Sequence, residues 1–167
     1  MGNTFTSERV SGSVPLDMSN ARTAVVLDVL ALAACDLATT DWQKRFAYWI
    51  VQHDQSRVGL GVVGFDVAVM GWTTEHFDQQ HAFVLAVIDA ALAKHAWDRL
   101  PFVPTDESVL PPLTKLRHLV AAFTREHVRP ASETDWSPDE LPTYGTCSSH
   151  RVYVHETGCI VCNDTPV

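Results

Sequence analysis

The sequence predicts a mainly α fold: a bundle-like body of about four helices, closed by a small C-terminal β-hairpin module. Three observations carry that reading. Four stretches within residues 19–128 repeat apolar side chains at helical spacing behind capping residues. Residues 129–146 then break the pattern with three prolines and four carboxylates. Beyond them, two pairs of metal-ligating residue types flank a short run in which apolar residues alternate.

Residues 1–17 are polar and patternless and read as a loose lead-in, which puts the first 18 residues outside the body. The first helix is capped by Ser19 and runs to about residue 38. Val25, Val26, Val29, Leu30, Leu32, Ala33 and Leu37 cover more than one stripe of it, so it belongs at the centre of the core. Cys35 lies in its last turns as a small buried hydrophobe. Thr40-Asp41 opens a second helix to about residue 52, with Trp42, Phe46, Trp49 and Ile50 on one face. Gly59, Gly61, Gly64 and Gly71 punctuate the next apolar run, so residues 57–72 read as a buried irregular segment. Thr73-Thr74-Glu75 opens a third helix, the longest, to about residue 98, with Phe77, Val84, Leu85, Ile88, Ala91 and Leu92 as its buried stripe. Pro112 suits a first helical turn and starts the fourth, which ends near His127.

The chain thus divides into a loose segment (1–18), a helical body (19–128), an acidic Pro-containing linker (129–146) and a tail (147–167). Hydrophobic residues make up 46% and charged residues 19%, a globular profile with no low-complexity run. The net charge of −8 is spread evenly: residues 1–127 hold ten cations against fourteen acids, residues 128–167 two against six. Gripping phosphates requires clustered cations, so nucleic acid and anionic membrane surfaces are not expected partners. No apolar run is long enough to span a bilayer. The polar start lacks the apolar core of a secretory signal, which makes a cytoplasmic location the expectation. Met1-Gly2 and Thr6 fit the loose N-myristoylation pattern, but a frayed polar terminus is the better reading of them.

The tail carries the chemistry. Cys147-Ser-Ser-His150 and Cys159-Ile-Val-Cys162 are two pairs at knuckle spacing, eight residues apart. Two residues between ligands let both donor atoms turn onto one ion, and two such pairs complete a closed tetrahedral shell. The intervening residues 151–158 read as a small hairpin with Val152 and Val154 on one face and Gly158 allowing the bend. These residues resemble a zinc ribbon or related zinc knuckle over about residues 144–164, with His150 in place of the second cysteine of the first pair. The resemblance implies one structural zinc per chain, held by Cys147, His150, Cys159 and Cys162. It says nothing about activity, because such modules serve nucleic-acid-binding, protein-binding and purely stabilising roles. A disulfide set is the alternative; three nearby cysteines would leave one unpaired unless Cys35 joined. His155 is a spare that competes with His150 only if the hairpin permits it.

No catalytic constellation stands out. His81 and His95 lie on or beside the apolar stripe of the third helix, and with His53 and His118 they would form a second metal site only by meeting inside the bundle. The Glu-x-x-His pairs of di-iron bundles and the His-Glu-x-x-His motif are absent. Gly59, Gly61 and Gly64 match Gly-x-Gly-x-x-Gly, but the strand and helix that give the motif meaning are missing around them. Trp42, Trp49, Trp72 and Trp97 fall at core spacing, whereas Trp136 lies among Glu133, Asp135 and Asp139 of the linker. An aromatic amid carboxylates suits a basic protein partner. The expected function is a non-catalytic, zinc-stabilised protein-interaction module: an adaptor, inhibitor or immunity-type protein. The alternatives are a small helical metalloenzyme using buried histidines and a zinc- or redox-responsive regulator.

Overall fold

The computed structural model describes residues 2–130 and 145–163. The acidic residues of the linker and Trp136 lie outside them. The elements run β1 (Asn3–Phe5), β2 (Leu16–Met18), α1 (Asn20–Leu37), α2 (Asp41–Val51), α3 (Gln55–Val58), α4 (Phe77–Leu92), α5 (Asp106–Ala122), β3 (Val154–His155) and β4 (Gly158–Cys159). The fold is mainly α, with two small antiparallel strand pairs, β1–β2 and β3–β4. No helix among the described residues is long and apolar enough to cross a membrane.

Helix α1 is the hub, packing against α2, α4 and α5, while α4 packs on α5. Its start is fixed by Ser19, whose hydroxyl accepts the Arg22 N–H. From Val26 onward nearly every side chain is buried, as an apolar surface wider than one stripe requires. At α2 the reciprocal cap is complete: Thr40 accepts the Gln43 N–H, and the Gln43 side chain accepts the Thr40 N–H. Phe46, Trp49 and Ile50 of α2 are buried, and the Trp42 indole donates to the Gly71 carbonyl.

Four expectations change. The first 18 residues are not loose, because β1 pairs with β2 in the register Asn3–Met18, Thr4–Asp17, Phe5–Leu16. Phe5 is fully buried, and Thr6 extends the pairing in parallel to Asp66: its N–H donates to the Phe65 carbonyl, and its own carbonyl accepts the Val67 N–H. Residues 57–72 are irregular for the most part, but the segment is not buried throughout, since Val58, Leu60 and Val62 are exposed, and its lead-in is α3, capped by Asp54. Helix α4 ends at Leu92, not near residue 98; Lys94 and Ala96 take left-handed backbone at φ 63° and 58° and turn the chain into one 3-10 turn, Trp97–Arg99. α1, with 18 residues, is therefore the longest helix. Helix α5 begins at Asp106, six residues before Pro112. Pro111 and Pro112 are the sixth and seventh residues of the helix, past its four free N–H groups, so each removes one intrahelical bond that the packing of α5 tolerates.

One contact governs how the N-terminal pair docks. A Cβ on Gly64 would run into the backbone N, C and O of Thr4, well inside van der Waals contact, and no flexible side chain is there to move aside. Gly64→Ala should therefore lower stability by about 3 kcal/mol through overpacking, and Phe5→Ala by about 3–5 kcal/mol through loss of a fully buried ring. Chemical denaturation measures both; a Gly64→Ala protein as stable as wild type would contradict the close approach.

Candidate metal centre

Each half of the tail site is built by the same local geometry. In the first knuckle the Arg151 N–H donates to the Cys147 carbonyl at 2.7 Å, and Arg151 has φ 57°. In the second, the Asn163 N–H donates to the Cys159 carbonyl at 2.7 Å, and Asn163 has φ 58°. The backbone N–H groups of Ser149 and His150 point at the Cys147 sulfur, and those of Val161 and Cys162 at the Cys159 sulfur. His150 and Cys162 thus occupy equivalent third positions in matching turns. The strand pair β3–β4, in register Val154–Cys159 and His155–Gly158, brings the two turns together.

The four ligand atoms lie within 4.8 Å of one another. Cys147 Sγ stands 3.5 Å from His150 Nδ1 and 3.8 Å from Cys162 Sγ, and Cys159 Sγ is 3.7 Å from His150 Nδ1. Ligands about 2.3 Å from a shared ion at tetrahedral angles stand about 3.8 Å apart, so these are the edges of a coordination tetrahedron. The cluster can hold a metal ion. His150 and Cys159 are buried and Cys147 and Cys162 half-buried. All four cysteines of the chain are free thiols. Burial, with the Cys147 sulfur beside it, pushes the Cys159 thiol up to about 12. At Cys147 burial acts in the same direction, but the N–H groups of His150 and Ser149 outweigh it and hold the thiol below its ordinary value. A cation that takes both sulfurs must displace protons, so its affinity rises with pH.

The tail is anchored on the body rather than appended to it. Val152, Val154, Cys159 and Ile160 are buried in one cluster with the helical core. Arg99 grips Asp36 through two bonds, Nη1–Oδ1 at 3.0 Å and Nη2–Oδ2 at 2.7 Å, and its Nη1 also reaches the His150 carbonyl. His95 Nε2 lies 2.8 Å from Asp36 Oδ2. The Tyr153 N–H donates to Cys35, whose thiol burial pushes up to about 12, so Cys35 is a packing residue beneath the hairpin. On the other side Arg57 pairs with Glu156, and the Ser56 hydroxyl donates to Asn163 Oδ1.

His155 is not a spare ligand. It is 1% exposed, and its Nε2 lies 2.8 Å from Asp54 Oδ2. The Thr157 N–H donates to its Nδ1, so the proton sits on Nε2 and is donated to Asp54. Sequence spacing marked the ligands but could not mark this histidine, because its partner lies 101 residues away.

The other histidines do not converge. His53 Nδ1 is bonded to the Trp49 carbonyl and His81 Nε2 to the Val120 carbonyl; His95 is committed to Asp36, and His118 is exposed. Among the described residues, the tail set alone brings three or more ligand groups within reach of one ion. No protein-family model matches the chain, and neither the curated proteins nor the solved structures compared with it contain a match.

The buried Asp54–His155 pair generates a prediction. Removing one partner strands the other, which costs about 3–5 kcal/mol, so Asp54→Ala and His155→Leu should each destabilise by that order and loosen the hairpin. Acid should act similarly. Burial raises Asp36 and Asp54, but hydrogen bonds from Arg99 and His95, and from His155 and Ser56, outweigh it and hold both carboxyls below the usual range. Stability from such groups is complete above their unfolded value of about 4 and is lost as pH falls through the folded values. Denaturation midpoints from pH 7 down to 3 should show a steeper acid loss in wild type than in Asp36→Asn/Asp54→Asn; parallel curves would refute the assignment.

Proposed function

We propose that the chain is a non-catalytic protein-interaction module of the adaptor, inhibitor or immunity type, with one structural zinc per chain. The observation that carries the zinc is the set of three thiols and one imidazole at tetrahedral edge distances, presented by two matching turns. Sulfur-rich tetrahedral sites favour zinc, and four protein ligands leave no open position for substrate or water. The buried-histidine enzyme gains no support, since His53, His81 and His95 are each held by their own hydrogen bond. The thiols suit a reducing compartment, in keeping with a cytoplasmic location.

For interaction, two features speak. Val58, at the end of α3, and Leu60 and Val62 in the loop after it are 43%, 73% and 56% exposed, an apolar surface of the kind that mediates contacts. The acidic linker, with Trp136 beside Asp135 and Glu133, supplies the charge and the aromatic anchor for a basic protein.

Metal analysis of the purified protein should return one zinc per chain, and Cys162→Ser should bind it far more weakly in a chelator competition. Because the tail shares the body's core, zinc removal should cost amide protection around Cys35 and Asp54 as well as in the tail. Protein with no metal, or wild-type affinity in Cys162→Ser, would end the zinc reading. The partner reading has its own test. Trp136→Ala with Asp135→Asn should weaken capture of basic proteins without changing the helical signal, more so at low salt, since exposed charges are screened beyond about 8 Å at physiological ionic strength. Equal capture by the double variant at every salt concentration would refute it.

A further inference from the structure

A cleft of about 360 Å³ lies between α1, the start of α3 and the second knuckle. That volume falls in the range of ligand sites, about 300–1,000 Å³. Helix α1 contributes Asn20, Ala21, Ala24, Leu27 and Asp28, one stripe at helical spacing. Ala21 and Ala24 are small, which is why the stripe leaves a cleft instead of filling it. Asp54, Gln55, Ser56 and Leu60 form the second wall, and Ile160, Val161 and Asn163 the third.

Asp28 is the anomaly. Its residue is only 7% exposed, it lines the cleft, and among the described residues no hydrogen bond reaches its carboxyl. Buried carboxyls are ordinarily paired or bonded, because an unpaired one is costly. Its neighbour supplies no relief. Asp54 is a second carboxylate, and it receives its hydrogen bonds from His155 Nε2 and the Ser56 N–H. The lining contains no lysine or arginine. Arg57, next along the chain, is turned to Glu156 and the Gln52 carbonyl. The neutral polar groups of the rim bond one another: Gln55 Oε1 accepts from the Asn3 amide while its Nε2 donates to the Asn20 carbonyl, and Asn163 Oδ1 accepts from the Ser56 hydroxyl. The rest of the wall is aliphatic.

We propose that this cleft binds an organic cation, an alkylguanidinium or alkylammonium group, with its charged head on Asp28 and its stem along Leu27, Leu60 and Ile160. Two carboxyls exclude an anion. A divalent metal needs converging ligands, and Asp28, Asp54 and His155 are not among the groups that come within reach of one ion. A guanidinium or ammonium supplies the donors that Asp28 lacks and leaves the aliphatic wall a hydrocarbon to cover. Burial, with Asp54 adding to it, pushes the Asp28 carboxyl up to about 8. A bound cation would ionise it, and the proton would leave to solvent.

The test is calorimetric titration of the full, metal-loaded protein near neutral pH with n-butylguanidinium and n-butylammonium, against n-butanol and butyrate at matched ionic strength. Saturable binding of a cation is expected, weakened at least tenfold in Asp28→Asn, with proton release seen as a buffer-dependent heat in wild type alone. Ala24→Phe, which fills the cleft and leaves both carboxyls in the sequence, should abolish binding. The folding check has a definite sign. A carboxyl pushed up to about 8 gives stability that is full below its unfolded value of about 4 and lost as pH rises towards 8. Asp28→Asn should therefore melt no lower than wild type at neutral pH. An acetylated, amidated Gly-Arg-Gly peptide separates the sources: tighter binding than butylguanidinium points to a protein-borne arginine, weaker binding to a free cation. No saturable binding of either small cation, equal binding of n-butanol, or undiminished binding by Asp28→Asn would overturn the proposal.

Discussion

Asp54 sits where three parts of the chain meet, and both of its oxygens are committed. Oδ1 accepts the Ser56 N–H and so caps α3, while Oδ2 accepts the proton of His155 and so holds the hairpin. The same carboxylate stands beside Asp28 at the wall of the cleft. A buried carboxylate is tolerable only when its lone pairs are filled, which fixes the distance and angle between body and tail. The metal ligands inherit that placement, because β3 and β4 carry His155 four residues before Cys159.

The tail alone has little with which to fold. Among the described residues its two strands are two residues each, and its apolar side chains in the core are Val152, Val154, Ile160 and the covered part of Tyr153 and Val161. Isolated two-stranded hairpins are marginal at best. Two supports can compensate for this: closure of the four-ligand shell around the proposed ion, and burial against α1 and α2. The first acts within the tail, drawing the two knuckles together. The second acts across the chain, through Cys35, Asp36, Arg57 and Asp54. Neither replaces the other, since the shell fixes the shape of the tail and the core contacts fix its position.

Local signals were legible in the sequence, and distant ones were not. Ser19, Thr40 and the two ligand pairs all act within four residues, and each falls where the spacing put it. The β1–β2 pair was hidden because three-residue strands are too short to display alternation, and the close fit of Gly64 against Thr4 has no sequence signature. The end of α4 was hidden too. Nothing in Ala93-Lys94-His95-Ala96 breaks a helix; the left-handed turns there carry His95 and Arg99 to Asp36, 59 and 63 residues away. The proline pair at 111–112 signalled a helix start, as isolated prolines do, whereas tertiary packing tolerates the pair one turn and a half inside α5. His155 and Asp28 were misread or passed over for the same reason: their chemistry lies in what faces them.

The second knuckle serves two sites at once. Cys159 and Cys162 face the ion position, while Ile160 and Val161 between them, with Asn163 beyond, form a wall of the cleft that holds Asp28. The turn that orients the two sulfurs therefore also orients that wall, and the N–H of Asn163 closes the turn on the Cys159 carbonyl. Two ligands that each favour one arrangement of a shared turn must favour each other, and the coupling is reciprocal by thermodynamic necessity. A metal that orders the turn would raise affinity for the proposed cation, and the cation would raise affinity for the metal by the same factor. On this view the carboxyl at position 28 and the thiols at 159 and 162 are not separate devices, because a single four-residue turn of backbone stands between them.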